Sequence, residues 1–223
     1  MSGESYQELL KDYGFAVLIA VIVAFGIRSC VIEAYRIPSP AMRPTLESGD
    51  TIFVSKWPYG LRLPMTKVKI TKGRTPKRGE VVIFTTPTDN TRESIRRVVG
   101  VEGDEVQMKK GELFLNGKSL AKTPPEKSAC GFEEVDGHSY EVCREPPLLP
   151  DFGPEKVPAG SAFVMPDLRS EVHDPLKLKT WGAVPYTAMQ AEALWIWLSV
   201  EPARVGQSWF SRIRFERMLR SIN

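Results

Sequence analysis

Histidine is almost missing from these 223 residues: only His138 and His173 occur. Neither is placed to make a Cys/His dyad, a metal centre lacks ligands, and both read as solvated surface residues. Charge of one sign is missing as well. Thirty basic residues face 27 acidic ones, leaving +3, and no block of like charges marks a nucleic-acid partner. No internal repeat is present and no cofactor is implied. Long charge-free runs are scarce too, the main one being residues 13–27. As a helix this run spans roughly 22 Å of a bilayer core of about 30 Å, so it needs its flanks. Lys11 and Arg28 can snorkel, and Val31, Ile32 and Ala34 extend the apolar surface. A transmembrane anchor over 13–34, after a tail of residues 1–12, is therefore expected. A cleaved leader fits less well, because no small-x-small site follows and Arg28-Ser29 before Cys30 is not a lipoprotein signal. Charge does not fix the orientation: Glu4, Glu8 and Asp12 outweigh Lys11, while Arg28 and Arg36 follow the run.

With 42% hydrophobic residues, the remainder suffices for one extramembrane domain with a real core. Short β-branched runs between Gly, Pro and Asp predict strands at 51–56, 80–86, 95–101, 105–109, 112–115 and 162–165, a mainly β fold. Residues 118–157, rich in Pro and charge, read as an inserted loop or hairpin subdomain with little core of its own. The β domain thus takes in 35–117 and 158–223. Within the insertion, Cys130 and Cys143 flank Asp136-Gly137; a disulfide in an oxidising compartment and two unpaired, partly buried thiols are both open. Residues 192–200, with Trp195 to Leu198, predict a buried strand, and a membrane-dipping edge is the rarer alternative. Residues 209–219 interleave apolar residues with arginines. That suits an anionic lipid surface, or a packed strand followed by a short helix with a solvated basic face.

The run Pro38-Ser39-Pro40-Ala41-Met42-Arg43-Pro44-Thr45-Leu46, followed by Gly49-Asp50, resembles the motif of type I signal peptidases that carries the serine nucleophile. Further blocks follow in that family's order: 77–84, then 94–104 with Ser94-Ile95-Arg96-Arg97, then 111–118, and a weaker match from Asp167 to about residue 185. The resemblance implies a membrane-anchored β domain on the extracytoplasmic side of a bacterial inner membrane. It also implies a preprotein substrate lying extended in a groove.

Three positions depart from that pattern. Ala41 stands at the nucleophile, and a methyl group cannot attack a carbonyl. Arg96 stands at the lysine general base, and a guanidinium stays protonated with no lone pair to accept a proton. Val172 stands where a serine orients the base. Ser39 matches the residue that helps form the oxyanion hole. Ile37, Pro38, Met42, Leu46, Ser94 and Ile95 match the walls that receive small substrate residues, although they could equally pack the core behind the motif. Asp167, Arg169 and Asp174 match structural positions, and an Arg96 that points into the groove is expected to need a carboxylate, from Asp174, Asp167 or the ligand. A single engineered change would explain Ala41 alone, whereas several departures fit a lineage released from cleavage. The leading expectation is an inactive family member that binds preprotein-like or partner segments. An active signal peptidase, and a structural membrane module with a filled groove, are the rivals.

Overall fold

The computed structural model describes residues 13–20, 32–60, 71–86, 92–122, 129–170, 182–202, 208 and 210–222. Residues 13–20 are helical and exposed. Among the described residues no helix is long and apolar enough to cross a membrane, and the remainder of the expected anchor, 21–31, lies outside them. At its far end the expectation is corrected, because Ile32 and Ala34 belong to a strand.

Among the described residues thirteen strands run in chain order: β1 (Ile32–Arg36), β2 (Asp50–Ser55), β3 (Val81–Thr85), β4 (Glu93–Val101), β5 (Glu105–Lys109), β6 (Glu112–Leu115), β7 (Lys118–Ser119), β8 (Cys130–Val135), β9 (His138–Cys143), β10 (Phe152–Lys156), β11 (Ser161–Met165), β12 (Gly182–Pro185) and β13 (Met189–Ser199). They form a seven-stranded sheet ordered β1-β2-β13-β3-β4-β11-β12, a four-stranded sheet β10-β5-β6-β7, and the hairpin β8-β9. All named pairs are antiparallel. This is the mainly β architecture expected.

At β3 and β4 the large sheet is covered on both faces: β3 reads as a nearly continuous apolar run, and β4 buries Ile95 to Gly100, Arg96 and Arg97 included. In β3, Val81 and Ile83 join Ile37, Met42, Leu46, Ile52 and Ile95 in one cluster, whereas Val82 and Phe84 join Tyr59, Val98 and Val164 in another, as the period-two alternation of a strand requires. A third cluster lies between β4, β11 and the small sheet. The apolar residues of the insertion, Leu120, Val135, Tyr140, Val142, Leu149 and Val157, pack there with Val99, Met108, Leu113, Phe163 and Met165.

Strand β13 lies inside the sheet, between β2 and β3, so it is no edge. Ile196 is buried, but Trp195 and Trp197 are exposed and both pack on Phe53, with ring centroids 5.7 Å apart. Among the described residues the C-terminal segment contains neither the expected strand nor an α-helix. It makes 3-10 turns at Phe210–Arg212 and Phe215–Arg217 and is strapped to β13 by Leu219 N–H to Ile196 O at 2.6 Å and Ile222 N–H to Leu194 O at 3.1 Å.

Gly49 closes the motif loop in the left-handed region at φ +93°, where a Cβ would fall 2.0 Å from the Val200 carbonyl oxygen. Gly49→Ala is expected to cost about 2 kcal/mol, from strain and a backbone clash together. Chemical denaturation should show a lower midpoint at an unchanged slope.

Candidate functional site

Pro40 supplies the φ of a 3-10 turn, Pro40–Met42, and Ser39 precedes it in extended conformation. The Ser39 hydroxyl oxygen accepts the Ala41 N–H at 3.3 Å. The two groups that match oxyanion donors are thus bonded to one another, with the Ser39 O–H left to donate. Ala41 is 3% exposed. Its carbonyl accepts the N–H of Leu168 at 3.1 Å, and the Met42 carbonyl accepts that of Leu46 at 2.8 Å. Asp50 ends the loop in full burial. It accepts from Arg217 at 2.7 Å, Arg214 at 3.0 Å and Ser199 at 2.6 Å. Burial pushes the Asp50 carboxyl up, but Arg217, the Glu47 N–H and Ser199 outweigh it and leave the group below its ordinary value. The C-terminal strap is therefore what holds the motif loop down.

Of the expected groove walls, Ile37, Met42, Leu46 and Ile95 are buried in one cluster. Ser94 is half-buried, its hydroxyl 3.0 Å from that of Thr86, and Pro38 is exposed. The structure thus brings four of the six together. Arg96 follows Ile95 on β4 opposite Val82. It is 7% exposed and donates from Nη1 to the Ile95 carbonyl at 2.6 Å. Val172, Asp174 and His173 lie outside the described residues.

Of the carboxylates expected to meet Arg96, Asp167 is taken by Arg97 instead. Strand β11 sets Met165 opposite Arg97, so the turn beyond it delivers Asp167 to Arg97. Arg97 donates from Nε to Asp167 Oδ1 at 2.9 Å and from Nη2 to Oδ2 at 2.7 Å. Nη1 donates to the Gly79 carbonyl at 2.7 Å, and the guanidinium lies 4.3 Å from the Tyr140 ring centre. Thr45 donates to the same carboxylate at 2.5 Å. Burial acts to discharge Arg97, yet Asp167 more than offsets it and the guanidinium is held more firmly protonated than usual.

Arg169 lies fully inside and donates to the Pro166 carbonyl and, at 2.7 Å, to Glu133 of the insertion. Glu133 is 0% exposed and also accepts from Tyr140 at 3.1 Å and Arg144 at 3.5 Å. Sequence reasoning gave no role to Arg97, Thr45 or Glu133. The signal for Arg97 was there: two adjacent arginines in a strand buried on both faces need two separate partners. Cys130 and Cys143 are joined as a disulfide across the register pair that begins β8 and ends β9. Among the described residues no group of His, Cys, Asp and Glu could hold a metal.

A protein-family model described as signal peptidase, peptidase S26, matches residues 10–198. Signal peptidase I of Pseudomonas fluorescens is 33% identical over 226 residues, which cover 93% of this chain and 79% of that protein. Signal peptidase I of Pseudomonas aeruginosa is 31% identical over 225 residues, with the same two shares, 93% and 79%. Among solved structures, a signal peptidase I from Enterococcus faecalis V583 aligns with 53% of this chain and 97% of that chain, at 19% identity and a TM-score of 0.34.

Proposed function

Because this chain belongs to the signal peptidase family, peptidase S26, we propose that it is a member that has lost the chemistry and kept the groove, binding signal-peptide-like or partner segments without cutting them. One observation carries the reading: Ala41 and Arg96 stand where the motif resemblance puts the nucleophile and the base. Acyl transfer needs a hydroxyl and a neutral amine or imidazole to deprotonate it. A buried methyl beside a turn, and a guanidinium with no lone pair, supply neither. Val172 removes the group that would orient a base. What favours retained recognition is β4 at Ser94–Arg96, which pairs with β3 ahead of the β4–β11 ladder that begins at Arg97 and could take an extended peptide as an added strand; Ile37, Met42, Leu46 and Ile95 pack the core behind it.

In this proposal residues 35–117 and 158–223 form the groove domain, 118–157 the insertion, and the segment ahead of β1, within 13–31, its membrane attachment, with the domain on the extracytoplasmic side of a bacterial inner membrane. Lipid is the second partner. Phe53, Trp195 and Trp197 make an aromatic face on the large sheet, and Phe210, Phe215 and Leu219 are 74%, 69% and 80% exposed on a segment that also carries Arg212 and Arg220. Aromatics with interleaved cations are what an interfacial layer receives.

The rival reading, a working signal peptidase, is favoured by 31–33% identity to proteins bearing that name. Incubating the full chain in detergent with a labelled signal-peptide substrate decides between them. Fluorescence anisotropy is expected to report binding, and mass spectrometry is expected to recover the peptide intact. A product ending at a small residue would overturn the proposal. Intact peptide with no binding would leave the structural membrane module.

A further inference from the structure

We infer that the Cys130–Cys143 disulfide is a redox control on the groove: it holds the strand end that pairs with the turn 166–169, and through that turn the peptide of Ala41. This rests on the groove being a peptide site, as proposed above.

The connection is short and made of backbone. Cys143 forms a parallel bridge with Leu168: its N–H donates to Asp167 O at 3.0 Å and its carbonyl accepts the Arg169 N–H at 2.7 Å. Leu168, between those two bonds, donates its own N–H to Ala41 O at 3.1 Å. One residue therefore links the bridged cysteine to the motif turn.

Position makes the bridge matter. It spans the open end of the hairpin, opposite the Asp136-Gly137 tip, and one further rung, Arg144 N–H to Ala129 O at 2.6 Å, lies beyond it. Ladder ends open at much lower free energy than sheet interiors, and a cross-link at such an end suppresses the opening. The tip side is secured independently by Val135, Tyr140 and Val142 in the core and by Glu133 on Arg169. Asp167 stays tied to Arg97 and Thr45, and Arg169 to Glu133, so breaking the bridge is expected to loosen the Cys143 end and its backbone pairing with 167–169 without unfolding the hairpin.

Cys130 is half-buried and Cys143 buried, so the Cys130 sulfur is the one a reductant reaches. A dithiol attacks there as thiolate, and the S–S bond breaks with Cys143 leaving as thiolate and taking a proton. The second thiol of the reductant then closes on the mixed disulfide and releases Cys130, which takes the other proton. Two electrons pass from the dithiol, which ends as a disulfide.

The test compares oxidised protein, protein in dithiothreitol, and the Cys130→Ser/Cys143→Ser variant. Two readouts are used: affinity for a labelled signal peptide, and amide hydrogen exchange. Reduction is expected to weaken binding about tenfold, the factor for a competent state populated a tenth of the time. The double variant should show the weak affinity throughout and no response to dithiothreitol. Exchange at Leu168 and Arg169 should accelerate on reduction while amides of β3 and β13 stay protected. Exchange is read without ligand, so it decides the inference even if the oxidised protein binds no peptide and the functional proposal fails. Unchanged protection at 168–169, global loss of protection, or an equal dithiothreitol effect on the double variant would each overturn it.

Discussion

Replacing Ala41 by serine is expected to leave the protein without measurable peptidase activity. The restored hydroxyl would sit where the family places its nucleophile, in a turn already shaped by Pro40 and capped by Ser39. A serine hydroxyl attacks only as its proton departs, and the matching acceptor position is Arg96, buried and charged at every usable pH. Loss of either partner in a cooperating serine protease site costs on the order of a million-fold, and the losses do not add. Restoring one of two therefore recovers almost nothing. The double variant Ala41→Ser/Arg96→Lys is expected to regain slight turnover, because burial lowers a lysine pKa toward neutrality, while Val172 still leaves the amine without its orienting hydroxyl. Product formation from a signal-peptide substrate, followed by mass spectrometry over hours, gives the ranking: double variant above single, single equal to the native chain. Robust cleavage by Ala41→Ser alone would mean that another base faces the groove.

Much of the β framework was legible because β-branched and apolar residues between turn residues leave a strong mark, either as runs buried throughout, in β3 and β11, or in alternation, in β2, β5 and β6. The predicted runs 105–109 and 112–115 coincide with β5 and β6, and 51–56, 80–86 and 162–165 fall within one residue of β2, β3 and β11 at each end. The anchor boundary was not legible. Ile32 and Ala34 continue an apolar stretch, and only pairing with Ser55 and Phe53, some twenty residues on, makes them a strand. The C-terminal segment misled for a similar reason: its Arg214 and Arg217 are not a solvated face but reach back to Glu47 and Asp50, a contact over more than 160 positions that no local pattern carries. In the site, the identities of Ala41 and Arg96 could be read directly, and their roles belong to the proposal above. Partner choice could not be read. Asp167 suits Arg96 and Arg97 equally by type, and the antiparallel register of β4 with β11 is what assigns it to Arg97.

That assignment leads to the largest expected effect on stability. Asp167 is 0% exposed and receives Arg97 twice and Thr45 once. Asp167→Ala would leave a guanidinium at 1% exposure with its charge uncompensated, and breaking a buried pair from one side costs about 3–5 kcal/mol. In a chain of this size each kcal/mol lowers the melting temperature by roughly 2–4 °C, so a fall on the order of 10 °C is expected by differential scanning fluorimetry. The paired variant Asp167→Leu/Arg97→Met removes both charges together, and such replacements are often neutral or stabilising in other buried pairs. Here it should recover at least half of the loss, although Thr45 and the Gly79 carbonyl each lose a partner. If the single variant melts like the native protein, the pair is not the lock between β4 and the last motif. If the paired variant is as unstable as the single, the cost lies in shape and the Thr45 and Gly79 bonds rather than in an orphaned charge. The same single variant separates stability from recognition: below its melting point the core behind the motif, with Ile37, Met42, Leu46 and Ile95, keeps its own cluster. Peptide binding should then weaken only to the extent that the 166–169 turn stops holding Ala41.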